Sequence, residues 1–247
     1  MATYSTTGIV LRRHNLGEAD RIITFLTPEY GKVRAVAKGV RRIKSRMAGH
    51  LELFSRSQLM LAEGRNLDIV TSARLQHFGA GSTDNYDRLR LSYLAAEMLE
   101  KLTDDEGVPQ PDLFMLAASL YEALEAAPSF GWLELSFKLK LADSLGYRPE
   151  LGQCMQCGSG SSDREYFFSP TLGGIIDSSC KTGLESPMSH KEIKLWRHII
   201  TSRGLSQTPP SDTEREITSG LATCNTFFDH LFGRRFKSDQ FLHLRPV

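Results

Sequence analysis

No stretch of the chain approaches the roughly 18 uninterrupted apolar residues that a membrane-spanning helix needs, and the opening MATYSTTGIVLRRHN lacks the apolar core of a secretion signal. A cytoplasmic protein without a membrane partner is expected. Cysteine is scarce, with four in 247 residues, too few for a secreted disulfide scaffold. Gly31-Lys32 lacks the upstream glycine and following Ser/Thr of a phosphate-binding loop, and neither a GxSxG elbow nor an HExxH helix occurs. The seven histidines give no ligand pair at helical spacing beside an acid. General acid/base catalysis therefore has no visible home, and a non-enzyme is expected.

Net charge is also nearly absent, at +1 from 30 Lys/Arg and 29 Asp/Glu, but the balance is uneven. Met1 to Ala80 holds 13 cations against 6 acids, leaving 17 against 23 for the remainder. A basic N-terminal part thus joins an acidic one, which suits a polyanion on one side and a basic or mixed partner on the other. The charge peaks in AKGVRRIKSRMAG, Ala37 to Gly49. From Lys32 to Arg46 the seven cations Lys32, Arg34, Lys38, Arg41, Arg42, Lys44 and Arg46 are accompanied by no acid.

Short strand signals surround that segment: TGIVLRR, DRIITFLT, GKVRAVAKG, SQLMLAEG and LDIVTSARL, rich in Ile, Val, Leu and Thr and separated by turn residues. Five strands in about 70 residues suggest a small closed sheet. In the third, Val33, Ala35 and Ala37 share one parity and Lys32, Arg34 and Lys38 the other, so period-2 geometry predicts three cations on one face running into the basic loop. Arg12 and Arg13 stand on the first strand. Together Arg12, Lys32, Arg34, Lys38, Arg41, Arg42, Lys44 and Arg46 predict a groove for a phosphate backbone, with weak sequence selectivity and steep salt dependence. Phe25, Tyr30 and Phe54 are expected in core or turn packing, not as base-stacking platforms.

From Ser82 the apolar period becomes helical. Leu91, Leu94, Met98 and Leu102 form one stripe, Leu113, Leu116, Leu120 and Leu124 a second, and Leu133, Phe137, Leu141 and Leu145 a third, which Gly146 is placed to end. Ser189 with Glu192 and Ser211 with Glu214 read as capping boxes of two further helices. Cys224 falls within the apolar stripe of the last one and is expected in its core.

The other cysteines cluster. Cys154-x-x-Cys157 follows a helix end and precedes a Gly/Ser loop, whereas a redox pair is expected after a strand and at a helix start. Zinc is the better reading, with thiol oxidoreduction by Cys154 and Cys157 as the alternative. A second pair at ribbon spacing is Asp177-Ser-Ser-Cys180, a carboxylate standing where a thiolate is usual. The fourth ligand is Asp177 or His190, unless the pocket persists as packing without metal. A structural role is expected for any zinc.

TTGIVLRRHNLGEADRIITFLTPEYGKVRAVAKGVRRIKSRMAGHLELFS, then a helical segment, GYRPELGQCMQCG and FFSPTLGGIIDSSC, resemble in this order the bacterial RecO family of recombinational DNA repair proteins. The likeness spans nearly the whole chain, and RRFKSDQFL resembles the family's ending. Asp177 stands where the zinc-binding members carry their third cysteine. The resemblance implies an α+β multidomain protein: an N-terminal OB-fold barrel over residues 1–80, a helical domain over 81–148 and 187–247, and a zinc-ribbon-like insert over 149–186. The strand count independently suggests a five-stranded barrel, which is the OB architecture. The resemblance also implies binding of single- and double-stranded DNA, annealing of complementary strands without ATP, engagement of the C-terminal tail of single-strand binding protein, and action with RecR to load RecA. An RNA-binding OB and zinc-ribbon protein is the alternative among binding proteins.

Overall fold

The computed structural model describes residues 2–79, 85–103, 107–160, 164–233 and 236–240. These fall into two compact units, one drawn from Met1–Glu125 with Phe236–Val247, the other from Ala126–Arg235. Among the described residues, no helix is long and apolar enough to cross a membrane.

The first unit is built on a closed five-stranded barrel: β1 (Thr3–Leu16), β2 (Asp20–Thr27), β3 (Gly31–Ala37), β4 (Ser55–Ala62) and β5 (Asp68–Phe78), in the order β1-β2-β3-β5-β4. This is the expected OB-type barrel. Its core follows the alternation of the strands, with Ile23 and Phe25 from β2, Val33, Ala35 and Ala37 from β3, and Leu59 and Leu61 from β4 facing inward. Gly31 opens β3 at φ +61°, a backbone state that favours glycine, and an added Cβ would lie 2.2 Å from the Val108 carbonyl oxygen.

Two helices follow. In α1 (Tyr86–Leu102) the Asn85 side chain accepts from Arg88 N, and α2 (Pro111–Ala123) begins on a proline, whose missing N–H needs no partner there. Helix α1 packs on β1 and β2.

The second unit begins with α3 (Phe130–Ser144), capped by Ser129, and the chain turns after it at Gly146, φ +85°. A three-stranded sheet follows, β6 (Tyr166–Ser169), β7 (Gly174–Asp177) and β8 (Ser186–Met188), ordered β7-β6-β8. Then come α4 (His190–Thr201) and α5 (Glu214–Phe232), which pack with α3. The Ser189–Glu192 capping box forms as expected. The one expected at Ser211–Glu214 does not: α5 starts at Glu214 with Thr213 as its N-cap, so Ser211 lies two residues too early to reach the helix N–H groups. Cys224 is buried in α5. A short α6 (Lys237–Gln240) returns to the first unit beside α1.

Candidate nucleic-acid interface and metal centre

A bulge in β1 decides which cations share a face. Val10 pairs with Phe25 and Arg12 with Thr24, so Leu11 is the extra residue. Strict alternation would turn Arg12 inward with Val10; the inserted residue moves it to the outer face. Thr24 in turn pairs with Arg34, so Arg12, Thr24 and Arg34 form a row across three strands, about 10 Å from end to end. With His14, Ile22, Lys32 and Glu100 they line a cavity of about 400 Å³.

The cations of this face differ in their freedom. Arg12 Nη1 donates to Glu100 Oε1 of α1 at 2.9 Å. Lys32 has the outward parity expected of it, but it is only 8% exposed because α1 covers that end of the strand. Its Nζ donates to the carbonyl oxygens of Glu100 at 3.0 Å and Thr103 at 3.1 Å, both at the C-terminal end of α1. Lys32 therefore departs from the expectation of a solvent-facing cation; it neutralises a helix end. Arg34 is exposed and forms no ion pair among the described residues.

The basic loop lies beyond β3. Gly39 N donates to Asp20 Oδ1 at 2.7 Å, Arg41 N to Ala19 O at 2.9 Å, and Arg41 Nη1 to Gly17 O at 2.8 Å. Val40 and Leu51 are buried in the barrel core and Met47 packs against it. Between these anchors Arg41, Arg42, Lys44 and Arg46 are exposed, as is Lys38 before them. Elsewhere on the barrel three arginines are matched by acids, Arg13 and Arg21 by Glu52 and Arg56 by Glu122, while Arg65 and Arg74 are exposed and scattered singly. Among the described residues Lys38, Arg42, Lys44 and Arg46 have no acidic partner. The arrangement can hold a flexible polyanion by charge, with no base-reading geometry imposed.

Sequence reasoning passed over His14, although it shares a strand face with Arg12 two residues away. Lys237, beyond the last long helix, is exposed, and its backbone N–H donates to Glu97 Oε1 at 3.0 Å. Arg234 and Arg235, the two cations before it in the sequence, lie outside the described residues.

In the second unit Cys154, Cys157, Asp177 and Cys180 bring their ligand atoms within 4.8 Å of one another. His190, the alternative fourth ligand, starts α4 outside this cluster, its ring edge-on to Tyr166. Strand β7 carries Asp177 at its end, and the following short turn brings Cys180 back toward the Cys154–Cys157 loop. Asp177 is fully buried. Hydrogen bonds from Ser179 hold its carboxyl far below the usual range despite burial, assisted by Cys157 Sγ at 3.3 Å and Arg164 Nη1 at 2.8 Å. Burial alone raises the Cys154 thiol, yet backbone N–H groups of Cys157, Asp177 and Gln156 draw it down to about 7. Desolvation and the neighbouring thiols push Cys180 up to about 11.

Three sulfurs and one carboxylate converging at this spacing form a donor set that zinc accepts, and backbone N–H groups aimed at a ligand sulfur stabilise the thiolate that zinc requires. The residues fit a metal. Three thiolates and a carboxylate exceed the charge of Zn²⁺ by two, and the Arg164 guanidinium offsets part of that excess. Arg164 was not legible beforehand, since only the pairing of Tyr166 with Asp177 brings it near the carboxylate.

The family model for the N-terminal part of recombination protein O matches residues 1–78, and that for its C-terminal part matches residues 84–240. A relative from Roseiflexus sp., named DNA repair protein RecO, is 39% identical over 223 residues, covering 89% of this chain and 75% of its own. Another of that name, from Nocardioides sp., is 41% identical over 190 residues, covering 74% and 77%. A third, from Desulfitobacterium hafniense, is 35% identical over 188 residues, covering 76% and 68%.

Proposed function

Since the chain belongs to the recombination protein O family, we propose that it is a DNA-binding protein of recombinational repair whose barrel holds the phosphate backbone. The observation that carries this reading is the concentration of Lys38, Arg42, Lys44 and Arg46 in one segment after Arg34, all exposed and without an acidic partner among the described residues, whereas Arg13, Arg21 and Arg56 of the same barrel are paired. Single and double strands both present the charge it needs, and cations alone remove much of the repulsion between two complementary strands. Annealing then requires no nucleotide hydrolysis and no catalytic group.

In the same reading residues 1–80 bind DNA, the helical parts 81–148 and 187–247 receive protein partners, and the ribbon 149–186 is held by a structural zinc on Cys154, Cys157, Asp177 and Cys180. Zinc, when bound, supplies cross-linking of the two turns and no chemistry. The protein partners are RecR, the C-terminal tail of single-strand binding protein, and RecA indirectly. The excess of acids after Ala80 suits a basic or mixed partner surface.

The test is fluorescence anisotropy of a labelled single strand across a salt series. Changing Arg41, Arg42, Lys44 and Arg46 together to Ala is expected to weaken binding and to reduce the slope of log K on log salt by about 2 to 3, at roughly 0.7 per phosphate neutralised. An unchanged slope sinks the loop as the clamp; RNA of the same sequence, if bound far more tightly, favours the RNA-binding alternative.

A further inference from the structure

Ile43 stands at the tip of the basic loop with its side chain wholly in water, 105% exposed, the highest value among the large hydrophobic residues described. Single exposed apolar residues are common and carry nothing by themselves. The setting of this one is different. Ser45 N donates to Arg42 O at 2.9 Å, closing a four-residue turn in which Ile43 occupies the first central position, where polar and turn-forming residues are usual. Arg41 N on Ala19 O, with the buried Val40 before it and Met47 packed on the core after it, fixes the base of the loop. The isoleucine is thus presented on a fastened turn, between Arg42 and Lys44 and one residue further from Arg41.

Proteins that hold single strands without sequence preference combine phosphate-tracking cations with a side chain that meets the faces of the bases, usually an aromatic one. The loop contains no aromatic residue; of the barrel aromatics Phe25 and Phe54 are buried, and the exposed Tyr30 and Phe78 stand on other segments, Tyr30 with its ring against Tyr4. Aliphatic side chains, isoleucine among them, take that part in proteins that open base steps from the minor groove. A β-branched side chain has few rotamers to lose when it inserts.

Building on the reading of this loop as a phosphate clamp, we propose that Ile43 is its base-contacting residue, inserting between neighbouring bases of a single strand whose phosphates lie on Arg42 and Lys44. The contact opens one stacked step and is indifferent to sequence, because every base offers an apolar face.

The experiment uses the full chain and a single-stranded oligonucleotide carrying 2-aminopurine between adenines, whose fluorescence rises when the base unstacks. Wild type is expected to raise the signal on binding. Ile43→Ser is expected to lose that rise and about tenfold in affinity while keeping the salt slope, and Ile43→Phe to keep the rise. An oligonucleotide with abasic sites throughout is expected to bind wild type as weakly as the ordinary strand binds Ile43→Ser. If Ile43→Ser matches wild type in signal and affinity while the arginine and lysine variants still lower the slope, the insertion is overturned and the clamp stands. If wild type shows no salt-dependent binding at all, both fall together.

Discussion

Lys32 and Arg34 are two residues apart on one strand face, and period-2 reasoning assigns them the same surroundings. What separates them is α1, whose terminal carbonyls come down on Lys32 and leave Arg34 in water. Replacing Lys32 by Met is therefore expected to lower folding stability by about 1 to 2 kcal/mol, as the loss of a charged donor at a helix end does, and to leave the salt slope of DNA binding unchanged. Arg34→Ala is expected to do the reverse, lowering the slope by about 0.7 with no change in melting temperature. Urea unfolding together with the anisotropy series separates the two. The alternation of Val33, Ala35 and Ala37 was legible in the sequence because a barrel strand must turn one parity inward; the cover over Lys32 was not, because it depends on a helix some 70 residues later. The bulge at Leu11 was equally hidden, since an extra residue leaves no mark on an apolar run such as Gly8-Ile9-Val10-Leu11.

Helix ends show a similar division. Ser189 and Glu192 satisfy each other's backbone within four residues, so the start of α4 could be read locally, whereas the spacing of Ser211 and Glu214 is the same and the helix starts later. Helix α6 is held at its start by a residue far off in the chain. The N–H groups of Lys237 and Ser238 donate to the Glu97 carboxylate of α1, which also accepts from Ser238 Oγ and Lys101 Nζ. Burial raises the Glu97 carboxyl, but these four donors outweigh it and hold the pKa at about 2, below its ordinary 4.5. A carboxyl depressed on folding stabilises above its unfolded pKa and loses that contribution as pH falls toward the folded value. Stability is thus expected to drop between about pH 4.5 and pH 2 in wild type. Glu97→Gln is expected to cost on the order of 1 to 2 kcal/mol at neutral pH, after allowance for solvent screening, and to flatten that part of the acid profile in thermal melts.

Across the whole molecule the basic loop and the metal donors belong to different compact units, each with its own core. Cobalt added to the protein freed of metal is expected to give thiolate charge-transfer bands, and Cys180→Ser to abolish them and lower the melting temperature without altering the salt slope of DNA binding. Absent bands would remove the metal and leave the ribbon as packing. The four donors were readable as two spaced pairs because a ribbon brings two turns together, while the approach of the exposed Arg164 to the buried Asp177 depended on strand register. The first unit also has an order of assembly imposed on it. Phe236, buried at 1% exposure under the Lys101 side chain, follows the entire second unit in the chain and yet belongs to the first. During synthesis the barrel and α1 emerge early, but the Glu97 clasp has nothing to close on until the ribosome has made about 110 further residues between Ala126 and Arg235. At the 5 to 20 residues per second typical of translation, that interval is roughly 6 to 22 seconds, during which a nascent chain carries a formed barrel with the α1 surface around Glu97 still uncovered.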